Sequence, residues 1–407
     1  MRDKPFSWHN HHRAQKCIAQ GYLTNSKRPE SLIKGIYPTH VKGGLGCYLY
    51  DENNKKYLDF IGGLGTNLLG YGHAQIAQVV AETARMGPSL SLPTTYELDT
   101  AEMIKNYFPF VDKVKFFKSG SEACSAAMRI ARTYTSSWDV WSDGYHGNND
   151  QFVAMTPPAI GVPELDAWGW PQKLEKDTDR GNRVKEDLGI VIVEPVMTDA
   201  SAGRKAYLKE LRKNTECLIY DEVITGFRWK QWCVSRNWGI TPDLIVLGKA
   251  IANGFPLAVV AGKKEVMEAG EYFLSGTYFG EMCSLAAARK VMLLLHNDYS
   301  IDDLWRKGQH WLDEFNSFWP DKIRIEGYPT RGVFVGDDLV KALLWQEACL
   351  AGILFGPSWW FNFPMIEHGF QCLGTLKDII TRIKSGQVAL KGEMPKSPFA
   401  QKVRNND

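Results

Sequence analysis

The residues that could do chemistry sit at the ends of apolar runs. Leu244-Ile245-Val246-Leu247-Gly248 ends on Lys249, and Cys217-Leu218-Ile219-Tyr220 ends on Asp221. An amine and a carboxylate delivered to one rim suit a cofactor with an aldehyde and a basic ring nitrogen. The lysine would hold the aldehyde as a Schiff base, and the acid would keep the ring nitrogen protonated so that the ring accepts electrons. Those are the two groups that pyridoxal phosphate (PLP) needs. A lysine beside an apolar run is by itself a solvated strand end, so the reading depends on what accompanies it.

Other runs end in the same way. Val114-Lys115-Phe116-Phe117 leads through Lys118 to Ser119-Gly120-Ser121-Glu122-Ala123, and Cys124 to Ala131 continues as a helix of small residues. A strand, a glycine turn and a helix N-terminus present free N–H groups that favour a phosphate. Asp139-Val140-Trp141-Ser142 leads into Asp143-Gly144-Tyr145-His146-Gly147, which offers an aromatic face and an imidazole, and Gly189 to Val193 ends in Glu194-Pro195. Apolar runs alternating with helical stretches predict an α/β fold, with a mostly parallel central sheet and helices on both faces. Ligands of such sheets collect beyond the carboxyl ends of the strands. Plainer readings exist: Ser121 as a helix N-cap, Tyr145 as core, Glu194 as a solvated strand end. Asp221 and Glu222 are neighbours and point to opposite faces if the strand continues, so only one can address a shared site.

In this order, Ser119-Gly120-Ser121-Glu122-Ala123, Tyr145-His146-Gly147, Glu194-Pro195-Val196, Asp221 to Arg228, Pro242 to Lys249 and Ser275-Gly276-Thr277 resemble the class III PLP-dependent aminotransferases. The likeness is greatest to the glutamate-1-semialdehyde aminomutase branch and extends to Gly46–Asp51 and Tyr57–Phe60. It implies a PLP-dependent transferase of fold type I with a smaller α+β domain built from both chain ends. The expected divisions are 1–60 (arm and part of the small domain), 61–290 (PLP-binding domain) and 291–407 (the rest of the small domain and a polar tail). It implies that Lys249 carries the cofactor and moves the proton, that Asp221 pairs with the ring nitrogen, and that Val223 and Tyr145 cover the two ring faces. Ser119, Gly120 and Ser121 would hold the phosphate, His146 would complete the cofactor set, and Glu194 would lie on the ring-hydroxyl side. Thr277 would reach the phosphate of a partner subunit, which implies a homodimer. The implied reaction moves an amino group from an amine donor to a ketone or aldehyde by a ping-pong mechanism. An aminomutase, a racemase or an epimerase would use the same machinery, whereas a non-catalytic relative would need neither Lys249 nor Asp221.

Departures from the aminomutase pattern fall where substrate choice would be made. Leu64 stands where the pattern has a tryptophan, and Ser358-Trp359-Trp360-Phe361-Asn362-Phe363 lacks the acid of its Phe-Glu pair. Arg28 is the nearest candidate for gripping a substrate carboxylate, and no arginine occurs from Leu354 to Phe370. The expected acceptor is therefore a different carbonyl, sugar-derived or aromatic, in a pocket lined by Trp359, Trp360 and Phe361.

At 407 residues, 44% hydrophobic and 23% charged, the chain can bury a large core. A net charge of +2 gives no footprint for nucleic acid. Eight scattered cysteines without a Cys-x-x-Cys pair read as reduced thiols of a cytoplasmic protein, and no run approaches membrane-spanning length. His9, His11 and His12 lack acids or cysteines at ligand spacing, so the expectation is a solvated arm and no metal. Met155 to Leu188, with Pro157-Pro158 and Trp168-Gly169-Trp170, has little periodicity and reads equally as a lid or a surface excursion. Leu376, Ile379, Ile380 and Ile383 recur at helical spacing, and the polar stretch from Lys391 to Asp407 is expected to pack loosely.

Overall fold

The computed structural model describes residues 7–155, 162, 170–174 and 187–397. The chain forms two compact units, Ala74–Ile301 and the combination of Met1–His73 with Asp302–Asp407.

The larger unit is built on a sheet of seven strands among the described residues: β1 (Lys113–Phe117), β2 (Val140–Asp143), β3 (Gln172–Lys173), β4 (Leu188–Val193), β5 (Thr215–Asp221), β6 (Leu244–Leu247) and β7 (Ala258–Gly262). Their order is β1-β7-β6-β5-β4-β2-β3. β7 runs antiparallel to β1 and β6, and every other pairing is parallel. The six remaining strands therefore point the same way. The tips of β1, β2, β4, β5 and β6 lie on one edge, followed by Lys118, Gly144, Glu194, Glu222 and Gly248.

Alternation along the strands fixes which helix covers which face. Ile190, Ile192, Cys217, Ile219, Leu244 and Val246 are buried in one cluster with α1 (Gly120–Thr135). Val191, Val193, Leu218 and Tyr220 are buried in another with Tyr207, Leu208 and Leu211 of α2 (Ala202–Lys213). Ala123, Ala126, Ala127 and Ala131 give α1 a flat buried side, so its backbone can lie close to the sheet. Ser119 caps α1, accepting from Glu122 N at 3.2 Å while its own N–H donates to Glu122 Oε2 at 2.8 Å.

The units divide later in the chain than residues 60 and 290. Residues 61–73 are tied to the smaller unit: Phe363 N donates to Leu68 O at 3.1 Å, and Tyr71 Oη donates to Asp59 at 2.6 Å. At the other boundary α3 (Met282–Asn297) stays with the larger unit, packing on the helices Ala74–Arg85 and Thr95–Tyr107.

Among the described residues the smaller unit has a four-stranded sheet (Gly43–Leu45, Tyr48–Tyr50, Lys56–Asp59 and Ile353–Leu354) and a three-stranded one (Ile323–Tyr328, Arg331–Gly336 and Trp359–Trp360). The closing helix, Leu373–Lys384, buries Leu376, Ile379, Ile380 and Ile383. Two expectations are corrected. His9, His11 and His12 lie in a helix, Ser7–Cys17, in which His11 is buried edge-on to Trp8 at 5.4 Å. The tail is docked as far as 397: Lys391 N and Gly392 N donate to Gln346 Oε1, and Lys396 N donates to Glu30 O. Of the segment read as lid or excursion, only Met155, Val162, residues 170–174, Asp187 and Leu188 are among the described residues. No helix among the described residues is long and apolar enough to cross a membrane.

The strands that end in Asp221 and lead to Lys249 are held together at their other ends by Asp243. Its Oδ2 accepts from Leu218 N at 2.8 Å and from Arg212, and its Oδ1 accepts from Lys263 at 2.9 Å. Burial pushes this carboxyl up, but the donors outweigh it and hold it below the ordinary aspartate range. A depressed aspartate contributes stability above its unfolded pKa and loses it as pH falls through the folded one. We therefore expect Asp243→Asn to cost about 1–3 kcal/mol at neutral pH. The gap from wild type should close as pH falls below about 4. Urea denaturation across that range checks this, and a gap independent of pH would remove the carboxylate as its source.

Candidate active site

Asp221 ends β5 on the face covered by α1 and is buried. Its Oδ2 receives His146 Nδ1 at 2.8 Å and the Cys124 thiol at 3.4 Å, and its Oδ1 accepts from Val223 N at 3.0 Å. A carboxylate offers about four acceptor positions. Three are used, and the open one is on Oδ1. His146 Nε2 is buried with no hydrogen-bond partner, so the Asp221 bond assigns the ring proton to Nδ1. Glu222 is turned away as alternation requires: its carboxylate accepts from Thr225 Oγ1 at 2.7 Å and from Val234 N and Ser235 N at 2.8 Å. Burial pushes the Glu222 carboxyl up, against these donors.

Val223 follows in a narrow space. A Cβ on Gly120 or on Gly248 would come within 3.2 Å of its methyl groups, so both glycines let backbone approach this side chain. Ser121 is not the N-cap of α1, a position taken by Ser119. Its hydroxyl instead accepts from Asn148 N at 3.0 Å and donates to Asn148 Oδ1 at 2.8 Å, tying the loop after β2 to the start of α1.

Tyr145 N donates to Glu194 Oε1 at 2.8 Å, while its ring is about half exposed (48%). Glu194 is held in turn by Arg204 of α2. Arg204 is buried and donates to Glu194 O at 2.7 Å, Pro195 O at 2.9 Å and Asp143 Oδ2 at 2.8 Å. Lys249 has φ 44°, in the left-handed region, directly after the extended Gly248. Its positive charge acts to lower the Cys124 thiol pKa. Burial first and then Asp221 push that thiol well up, so it stays protonated. Cys124, His146 and Asp221 also form the one cluster of three possible metal-ligating groups among the described residues. Hydrogen bonding accounts for it, and the His9, His11 and His12 helix forms no such cluster.

The other candidates lie elsewhere. Thr277 is exposed in a turn of the larger unit. In the smaller unit, Arg28 donates from Nε to Ser31 Oγ at 3.0 Å and from Nη2 to Ser397 O at 2.5 Å. Leu64 has φ 60° in the turn Gly62–Gly65, which lies against the Trp360 ring. Trp359 stacks with Trp311 at 5.1 Å and with Phe361 at 5.7 Å, and Trp359, Trp360 and Phe361 are all buried. Their rings are part of the aromatic core of that unit.

The residues present fit PLP. An acceptor on Oδ1 is open toward a protonated nitrogen, two glycines leave room around Val223, and the amides of the first turn of α1 suit a phosphate. Fold and site together define a PLP-dependent enzyme of fold type I. Among solved structures, the chain superposes on the PLP internal aldimine form of the Sphingopyxis sp. MTA144 FumI protein with a TM-score of 0.85, at 19% identity over 96% of this chain and 98% of that one. A transaminase with PLP bound superposes with a TM-score of 0.82 at 20% identity, covering 95% and 99%. In sequence, the chain is 34% identical over 327 residues to the glutamate-1-semialdehyde 2,1-aminomutase of Desulfotalea psychrophila, covering 74% of this chain and 75% of that protein. A profile of class-III aminotransferases matches residues 34–357. The chain belongs to the class-III aminotransferase family, and its cofactor is pyridoxal phosphate.

Two residues of the site went unread in the sequence. Cys124 carries a local signal, because it lies four residues after Gly120 and so shares a face of α1. Arg204 carries none, since its partners belong to the tips of β2 and β4. We expect Arg204→Ala to destabilise the protein by about 3–5 kcal/mol, as for a broken buried ion pair. Arg204→Lys should recover only part, because an ammonium cannot reproduce a fork of three bonds. Thermal and urea melts of both variants check this, and an Ala variant that melts with wild type would refute the clamp.

Proposed function

We propose that Lys249 is the cofactor lysine and Asp221 the partner of the ring nitrogen, and that the enzyme moves an amino group from an amine donor to a ketone or aldehyde. The observation that carries this reading is the buried Asp221 carboxylate, fixed by three donors with one acceptor position open, at the same strand edge after which Lys249 follows β6. PLP, when bound, supplies an electron sink that acidifies the carbon–hydrogen bond beside the substrate nitrogen. Asp221 holds the proton on the ring nitrogen. The amides of Gly120 and Ser121 orient the phosphate, and Val223 and Tyr145 exclude water from the ring faces. Lys249, released when a substrate amine takes its place, would take the proton from the substrate carbon as general base and deliver it as general acid to the cofactor's aldehyde-derived carbon.

The acceptor is proposed to differ from glutamate 1-semialdehyde. Leu64 replaces the tryptophan of the aminomutase pattern, and the Arg28 guanidinium is engaged by Ser31 and Ser397. The aminomutase reading is the second one, and the relative in Desulfotalea psychrophila favours it. The two make different predictions for a panel of amines and carbonyls. Transamination releases a carbonyl product from the donor and leaves the aminated cofactor on the protein. An aminomutase isomerises glutamate 1-semialdehyde with no net release, and that substrate alone reacting would replace our reading. Lys249→Ala should lower turnover at least about a thousandfold. It should also abolish the covalent link to the cofactor, as read by absorbance and by mass after borohydride reduction. A Lys249→Ala protein with native turnover would reject the assignment.

We also propose that the protein works as a homodimer, with Thr277 lent to the partner's phosphate site. Supporting this, Leu90, Leu92, Leu98, Phe273 and Tyr278 are exposed on the larger unit, Phe273 to 89%. The segments of Leu90, Leu92, Leu98 and Tyr278 adjoin, because Met282 N donates to Pro88 O at 2.9 Å and a Cβ on Gly280 would meet Glu97. An exposed apolar patch of this kind marks an interaction surface. The double variant Leu92→Glu, Tyr278→Glu should sediment as a monomer and lose PLP on dialysis faster than wild type. A double variant that remains dimeric would place the interface elsewhere.

A further inference from the structure

We infer that Cys124 is a positioning residue for the cofactor: its thiol and the His146 imidazole together occupy Asp221 Oδ2, so that the carboxylate presents Oδ1 to the ring nitrogen. The inference rests on the assignment of Asp221 to that nitrogen.

The geometry separates this role from ordinary packing. Cys124 belongs to the buried side of α1 with Ala123, Ala126 and Ala127, where a small apolar residue would suffice. Yet its Sγ lies 3.4 Å from Oδ2, within reach of a sulfur hydrogen bond, and Oδ2 already accepts from His146 Nδ1. An oxygen with two donors has spent both lone pairs, so the carboxylate cannot rotate to present it elsewhere without breaking a bond. Oδ1 keeps one lone pair beyond the Val223 N bond. The thiol acts as donor because it stays protonated. Burial, Asp221 and Glu194 all act to raise its pKa, and Lys249 is the opposing cation. Gly120 and Cys124 are one turn apart on α1, so the helix whose first amides would hold the phosphate also reaches Asp221 through its second turn. Any shift of α1 is therefore felt at both ends.

The test compares Cys124→Ser, Cys124→Ala and Cys124→Val with wild type. Three readouts are taken: PLP affinity by titrating the cofactor-free protein, the pH midpoint of the visible band of the loaded protein, and melting of the cofactor-free protein. Serine keeps a donor, so it should bind PLP within about twofold of wild type and keep the midpoint. Alanine and valine remove the donor and should bind about three- to tenfold more weakly, with a displaced midpoint, even where melting is unchanged. If valine or alanine matches wild type in affinity and midpoint while serine is the weaker binder, Cys124 is packing and the inference is overturned. If wild type itself forms no visible band with PLP, the Asp221 and Lys249 assignments fail as well, which distinguishes the two failures.

Discussion

An aspartate carboxylate at the buried tip of a strand is the constraint on which the rest of the site depends. Taken out of water, an anion is tolerated only where donors replace its hydration. Asp221 finds three, from α1, from the loop after β2 and from the turn after β5. Each donor fixes its own segment. α1 must bring its second turn to the sheet, His146 must hold one tautomer, and the chain must turn sharply at Val223. The start of α1 and the loop after β2 are then joined a second time by Ser121 and Asn148. The start of α1 and the surroundings of Asp221 are thus parts of one hydrogen-bonded structure.

The period of a β-strand explains why two adjacent acids do different work. Cys217, Ile219 and Asp221 share the α1 face, while Leu218 and Tyr220 face α2. Glu222 continues the second parity and is consumed by the amides of Val234 and Ser235, at the start of the short helix Val234–Trp238. It serves the fold by organising the chain beyond β5, and leaves Asp221 alone in the site. A one-residue slip of β5 would exchange the roles and bury an acid among the side chains of α2. Asp243 counters such a slip, because its side chain accepts from Leu218 N and its own N–H donates to Leu218 O at 2.8 Å.

What could be read from the sequence was local. An apolar run followed at once by a polar residue gives a strand tip, so the β-strand tips that carry Asp143, Glu194, Asp221 and Lys249 were legible, as was the helix opened by Ser119-Gly120. Even there residue type alone points to Ser121 as the cap, although Ser119 with Glu122 three residues on is the capping-box spacing. Contacts between distant residues were not legible. Cys124 meets Asp221 across 97 positions and Arg204 meets Asp143 across 61, and no periodicity announces either. Trp359, Trp360 and Phe361 read as a pocket lining by composition. Only the pairing of their strand with Arg331–Gly336, and the stack on Trp311, reveals them as core. The docking of the tail is illegible in the sequence for the same reason, since Gln346 and Glu30 give no sign of what they bind.

Lys249 follows from these restraints. A lysine with φ near +44° is strained, on the order of 1–2 kcal/mol, and such a conformation persists only where its surroundings impose it. Here they do so from both sides. Leu244 to Leu247 are wholly buried in the sheet, Gly248 lies against Val223, and Ala250, Ile251 and Ala252 are buried beyond. The root of the lysine is therefore held by its surroundings, as Asp221 is by its donors. Its four-carbon stem has more rotatable bonds than the side chain of Asp221. On the proposed assignment Lys249 would release the cofactor's aldehyde carbon and then move a proton, and both tasks would use that combination. A mobile root would forfeit the alignment with the reacting carbon, and a stem locked like Asp221 could not exchange partners.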